Sequence, residues 1–221
     1  MSKSNAAQNI NGWIIIDKPT GITSSAVVNK IKWACSARKA GHAGTLDPSA
    51  TGILAIALGE ATKTIPYVTE QIKSYSFEVK WGEATDSDDS DGKIIKTSQM
   101  RPSEQDIIAI LPRFRGEIKQ TPPFFSAVKI NGRRAYELAR SGEDFDIASR
   151  SLFVSSLKLE KYISENSAIL SLECGKGGYV RSIARDLGLE LGCYGHVKWL
   201  RRIASGSVSY THLRAHETSD Y

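Results

Sequence analysis

A chain of 221 residues, 41% of them hydrophobic, is long enough to bury a sizeable core in one large or two small domains, which excludes a largely disordered protein. Its 29 Lys and Arg against 24 Asp and Glu leave a net charge of +5, compatible with a polyanionic partner. Cys35, Cys174 and Cys193 are far apart and form no CxxC pair, which excludes a disulfide framework and a zinc knuckle; with no secretory leader or membrane-length apolar run read from the sequence, a cytoplasmic protein is expected.

In chain order, the polar residues 1–11 read as a flexible N-terminal tail. "WIII" (13–16) is β-branched enough for a buried strand, and "DKPTGITS" (17–24) breaks it. From Thr23 or Ser24, either one a plausible N-cap, Val27, Val28, Ile31, Ala34 and Cys35 recur at helical spacing. Residues 52–58 read as another buried strand and 60–69 as a short helix. In "KSYSFEVKW" (73–81), Tyr75, Phe77, Val79 and Trp81 alternate with Ser74, Ser76, Glu78 and Lys80, which predicts a strand with one buried face. "DSDDSDGKIIKTS" (86–98) puts Ser87 and Ser98 where a calcium loop needs acids, so a solvated hairpin turn is expected instead.

Ser103 followed by Asp106 resembles a capping box opening a helix over 103–111, and Arg133–Ser141 reads as a helix stopped by Gly142. Strands are expected at 152–162 and 167–174. "GKGGYVRSIARDLGLELG" (175–192) is a glycine loop feeding a helix, without P-loop spacing. A last strand is expected over 196–203, with His196 at its start as a satisfied core residue. Paired strands with interspersed helices predict an α+β domain around a mixed sheet.

The chemistry concentrates in "GHAGTLDPSATGILAIALG" (41–59), where Asp47 is the one charged residue. As a plain turn residue it caps the next helix or closes an Asx turn, with Pro48 at N1. As a reactive group it is a nucleophile or base tuned by desolvation and a cationic neighbour. Arg181 falls in the first turn of the helix after Gly177 and Gly178, where the helix dipole disfavours a cation by about 0.3–1 kcal/mol. It therefore calls for an anion: a phosphate, a surface carboxylate or Asp47.

Five blocks, "DKPTGITS" (17–24), "GHAGTLDPSATGIL" (41–54), "PPFFSAVKINGRRAYELARSG" (122–142), "GKGGYVRSIARDLG" (175–188) and "GHVKWLRR" (195–202), resemble in order and spacing the TruB-type bacterial tRNA pseudouridine-55 synthases. The resemblance implies a pseudouridine-synthase-like α+β fold: a mixed, mainly antiparallel sheet flanked by helices, with a thumb-like insertion at about 120–150. It implies a catalytic domain over 12–208 that isomerises uridine 55 in the T loop of tRNA by base flipping, glycosidic cleavage and C–C rejoining, without cofactor or metal, as a monomer. A sibling that works with a guide RNA fits less well, because the bacterial-style thumb block is present.

By the same resemblance, Asp47 matches the essential aspartate, Arg181 the arginine that pairs with it, and Tyr75 the aromatic residue packed on the target base. His42 matches the histidine that meets the T loop, and Tyr179 and Leu200 the lining of the uracil pocket. Periodicity alone makes Tyr75 ordinary core. Lys129, Arg133, Arg134 and Arg140 fit RNA-backbone contacts as a cluster and a solvated helix face one by one. Lys18 is placed with them, or as a residue that fixes the catalytic loop. The family continues into a small C-terminal RNA-binding domain, whereas "SYTHLRAHETSDY" ends this chain, so 209–221 is expected to be an unmatched tail. The competing readings are an RNA-binding module in which Asp47 is a brace, and a hydrolase or lyase that clamps a small anion with Arg181.

Overall fold

The computed structural model of the protein describes residues 8–209, so most of the tail expected at 1–11 and nearly all of that expected at 209–221 lie outside the described residues. In chain order the elements are β1 (Gly12–Lys18), α1 (Ser24–Ala34), β2 (Ala40–His42), β3 (Thr51–Leu58), a 3-10 turn (Gly59–Thr64), α2 (Ile65–Thr69), β4 (Lys73–Trp81), β5 (Glu83–Thr85), β6 (Ile94–Thr97) and α3 (Glu104–Ile110). A second 3-10 turn (Leu111–Phe114) leads to β7 (Gly116–Gln120), β8 (Lys129–Ile130), β9 (Arg133–Arg134), α4 (Ala135–Arg140), β10 (Arg150–Ser164), β11 (Ser167–Cys174), α5 (Val180–Glu190), β12 (Gly195–Ser205) and β13 (Val208–Ser209).

Local chemistry accounts for the boundaries. Thr23 caps α1 by accepting from Ala26 N–H, and Ser103 and Asp106 form the expected capping box of α3. The helix expected over 60–69 is divided into a 3-10 turn and α2, because Pro66, in the first turn of α2, has no N–H to continue the ladder. The helix expected from Arg133 starts at Ala135. Arg133 and Arg134 pair instead with Ile130 and Lys129 across Asn131 (φ 49°) and Gly132 (φ 85°), the Asn-Gly turn that joins two-residue hairpins.

The chain forms two compact units, one of residues up to 75 together with those from 201 on, the other of 76–200, with the boundaries inside β4 and β12. In the first unit β3 is the centre: β1 and β2 pair with it antiparallel, and Arg201 and Arg202 of β12 pair with it in parallel. Its core joins Leu54, Ile56 and Leu58 of β3 to Val27 and Val28 of α1. Fully burying side chains of this size stabilises by about 1.5–3 kcal/mol each.

In the second unit the strands run in the order β12-β4-β11-β10-β7, with β10 antiparallel to β11 and to β7. Phe77, Val79, Trp81, Leu157, Leu170 and Ile183 are fully buried there. Glu78, placed by alternation on the polar face of β4, is buried as well. It accepts from Lys198 Nζ at 3.0 Å and Trp199 Nε1 at 2.6 Å, partners supplied by β12. Apart from the parallel β3–β12 contact, the β1–β3, β2–β3, β10–β11, β7–β10, β5–β6, β8–β9 and β12–β13 pairs are antiparallel, which gives the mixed α+β sheet that the sequence predicts.

Candidate active site

In the first unit, the stretch from His42 to Thr51 leaves β2 and returns as β3. Asp47 sits half-buried in its middle. No helix follows, so the helix-cap reading of Asp47 fails; its carbonyl closes a turn by accepting from Ala50 N–H at 3.1 Å. Around it several backbone groups are fixed. Ala43 N–H donates to Ala55 at 2.9 Å, and the Ser24 hydroxyl both donates to the Leu46 carbonyl (2.8 Å) and accepts from Leu46 N–H (2.9 Å). Gly21 N–H donates to the Pro48 carbonyl at 2.8 Å and the Thr20 hydroxyl to Ser49 at 3.1 Å. "DKPTGITS" and "GHAGTLDPS" are thus one structural feature.

Two buried cations complete it. Lys18 is 0% exposed and donates to the carbonyls of Pro19 (2.9 Å), Ile22 (2.8 Å) and Pro48 (3.1 Å). This corrects its placement among RNA-backbone residues: a buried ammonium saturated by three carbonyls fixes the loop and has no donor to present to a phosphate. Burial lowers its pKa, and the Asp47 carboxylate opposes that shift.

Arg202, 1% exposed, donates from Nε to Ile53 at 2.7 Å, from Nη2 to Gly44 at 3.1 Å and from Nη1 to Thr45 at 3.5 Å. The close approach needs glycine. A Cβ on Gly52 (φ 102°) would lie 2.2 Å from the Arg202 carbonyl oxygen. His42 ends β2 opposite Ile56, and its buried Nδ1 has no hydrogen-bond partner among the described residues. Burial first and the Arg202 guanidinium second push its pKa down, which leaves the imidazole neutral at pH 7. Tyr75 is buried in β4, as its periodicity requires.

In the second unit, Tyr179 precedes α5 and is held at both backbone groups by one side chain: its N–H donates to Gln120 Oε1 (2.9 Å) and its carbonyl accepts from Gln120 Nε2 (3.1 Å). Arg181 is 6% exposed. Nη1 donates to the Ser87 carbonyl and Nη2 to the Phe125 carbonyl, both at 3.0 Å, and the Asp89 carboxylate lies 3.5 Å from Nη1. Leu200 is half-buried on β12. His196 is core, with Nδ1 3.1 Å from the Glu83 carbonyl.

The acidic stretch does join the β5–β6 hairpin and is exposed at Ser90, Asp91 and residues 93–97, as expected of a solvated turn, but Asp88 within it is buried. Asp88 is 8% exposed and accepts from Arg185 Nη1 at 2.9 Å. Desolvation dominates and pushes the Asp88 pKa up to about 6 despite Arg185; Asp89 and Asp186 are shifted in the same direction by the same cause. Sequence reasoning missed Asp88, Asp89, Arg185, Arg202 and Gln120. Their roles depend on partners 50 or more residues away, for which local periodicity carries no signal.

The four basic residues between β7 and β10 are exposed and gathered on β8, β9 and α4. Arg133 makes two bonds to Glu143 (2.9 and 3.0 Å), Arg134 Nη1 donates to Ala127 at 2.6 Å, and Arg140 stacks 5.7 Å from the Tyr136 ring centre. The Asn131-Gly132 pair was the available signal for this hairpin.

The family model for the TruB family pseudouridylate synthase N-terminal domain matches residues 32–180, and that for the tRNA pseudouridylate synthase B C-terminal domain matches 181–221. The tRNA pseudouridine synthase B of Cereibacter sphaeroides is 58% identical over 93% of this chain and 68% of its own length. That of Dinoroseobacter shibae is 55% identical over 99% of this chain and 72% of its length. Among solved structures, a Cbf5-Nop10-Gar1 complex matches with TM-score 0.69 and 30% identity over 91% of this chain. This chain spans only half of the matched protein there. The fold is that of the pseudouridine synthases.

Proposed function

The chain belongs to the TruB family of pseudouridylate synthases, an isomerase family, and we propose on that premise that it converts uridine 55 in the T loop of tRNA to pseudouridine. The observation that carries this reading is the pinning of the Asp47 loop by Lys18, Ser24 and Arg202. A catalytic group held by so many backbone bonds is preorganised, and misplacement by about 1 Å costs on the order of 100-fold in rate.

The isomerisation breaks the N1–C1′ bond, turns the uracil within its pocket and forms a C5–C1′ bond; C5 loses its proton and N1 gains one. Asp47 is the group proposed to act, by adding to C1′ or C6 or by drawing a proton from the ribose. Arg181 is proposed to keep that carboxylate ionised. Tyr75, Tyr179 and Leu200 are proposed to enclose the flipped base, whose unstacking costs a few kcal/mol, and the neutral His42 to meet the T loop. The exposed basic cluster from Lys129 to Arg140 is proposed to contact phosphates.

The test is incubation of the protein with an unmodified tRNA transcript, followed by chemical mapping of pseudouridine. Modification confined to position 55 is the expected result. Modification elsewhere, or none, rejects the assignment.

A further inference from the structure

We propose that Arg185 is a positioning residue for pseudouridine formation, whose guanidinium clamps, through Asp88 and the Thr121 carbonyl, the two segments that hold Arg181. The inference rests on the function proposed above. Arg185 follows Arg181 by one helical turn, so both guanidinium groups leave the same face of α5. Like charges at this spacing repel. Here each meets its own aspartate from one loop: Asp89 lies 3.5 Å from Arg181, and Asp88 2.9 Å from Arg185.

Successive side chains of an extended segment point to opposite faces. Asp88 has φ 61°, a left-handed conformation that Asp adopts more readily than most non-glycine residues, and the break in alternation lets both carboxylates reach the helix. The backbone beside it is tied down by Val197 N–H donating to the Asp88 carbonyl (3.1 Å) and Ser90 N–H to the Val197 carbonyl (3.0 Å). Arg185 Nη2 donates to the Thr121 carbonyl at 2.8 Å, and the Ser182 hydroxyl donates to the same oxygen at 2.8 Å. Two carbonyl acceptors of Arg181, Ser87 O and Phe125 O, therefore belong to the two segments Arg185 grips. Without Arg185, Asp88 becomes a buried carboxylate that has lost its hydrogen-bonded cation, and the loop bearing Ser87 and Asp89 relaxes toward water.

The experiment compares wild type, Arg185→Gln, Arg185→Lys, Asp88→Asn and the Asp88→Asn/Arg185→Gln double variant. It measures the single-turnover rate of pseudouridine formation on an unmodified tRNA transcript, the Kd for that transcript and the melting temperature. The Gln and Asn variants are expected to lose about 10- to 100-fold in rate with unchanged Kd. Lys, which keeps the charge but not the fork, should recover part of the loss. The double variant should be no slower than the slower single, because both break one clamp. An Arg185→Gln enzyme at the wild-type rate, losses that multiply in the double variant, or a Kd that weakens in step with the rate overturns the proposal. Should Arg185→Gln fail to fold, Arg185→Lys and Asp88→Asn carry the same comparison. Wild type that forms no pseudouridine rejects the functional reading itself; active wild type with an indifferent Arg185 rejects the clamp alone.

Discussion

The Lys18 ammonium donates to the Pro48 carbonyl at 3.1 Å, which ties the end of β1 to the residue immediately after Asp47. Because two further carbonyls, of Pro19 and Ile22, share the same ammonium, a side chain without donors leaves those two acceptors unsatisfied and the Pro48 carbonyl with Gly21 N–H alone. Each such loss costs about 1–3 kcal/mol where the group stays buried. Lys18→Met is therefore expected to lower the unfolding free energy by several kcal/mol in total. It should also reduce pseudouridine formation more than tRNA binding. Denaturant titration and single-turnover kinetics check the two halves; unchanged stability would show that the ammonium does not hold the loop.

Glycine substitutions separate steric necessity from conformational preference. At Gly52 an added methyl meets the Arg202 backbone at 2.2 Å in addition to the strain of φ 102°, whereas at Gly132, with φ 85°, it meets nothing within 4 Å. Gly132→Ala should cost about 1–2 kcal/mol, the left-handed penalty alone. Gly52→Ala should cost clearly more and abolish activity, because β3 and β12 must part locally. Equal melting temperatures for the two variants would contradict the close approach.

These cases show what was legible in the sequence. The β4 strand was readable because Tyr75, Phe77, Val79 and Trp81 repeat every second residue, and α1 and α3 because Thr23 and Ser103 are caps. Glu78 was misplaced because its cover, Trp199 and Lys198, arrives from 120 residues away. Arg202 looked like one more basic residue in "WLRR", yet its guanidinium lies inside and binds carbonyls of the 44–53 segment. The burial of Asp88 within an otherwise largely exposed acidic run was not readable because its partner Arg185 on α5 is remote in sequence. Two- to four-residue strands such as β5, β6, β8 and β9 are too short to show a period.

Asp88 gives a pH dependence with opposite signs in rate and stability. The groups facing it are Arg185, Arg181 and Asp186 of α5, and burial lifts its pKa from 3.8 to about 6. A raised carboxylate pKa favours the protonated form in the folded chain. Its contribution to stability is complete below the unfolded value near 3.8 and is lost as pH rises to about 6. The ion pair with Arg185 forms over the same window, so the rate should rise as the stability contribution falls. Asp88→Asn should remove both trends. Subtracting its melting temperatures and rates from those of wild type between pH 4 and 7 checks this, and parallel trends would refute it.

The basic hairpin makes a salt-dependence prediction. Replacing Lys129, Arg133, Arg134 or Arg140 by Ala should each reduce the salt slope of tRNA binding by about one unit, uniformly across tRNA sequences. Arg133 must first leave Glu143, so Glu143→Gln should tighten binding at low salt. A slope that none of the four changes would move the phosphate contacts elsewhere.

The most direct measurement is single-turnover pseudouridine formation by Asp47→Asn on an unmodified tRNA transcript, with tRNA affinity measured alongside. The substitution keeps the shape of the side chain and removes its charge. Loss of all measurable product with wild-type affinity is the predicted result; product formed at a rate near wild type would show that the carboxylate of Asp47 does not perform the chemistry.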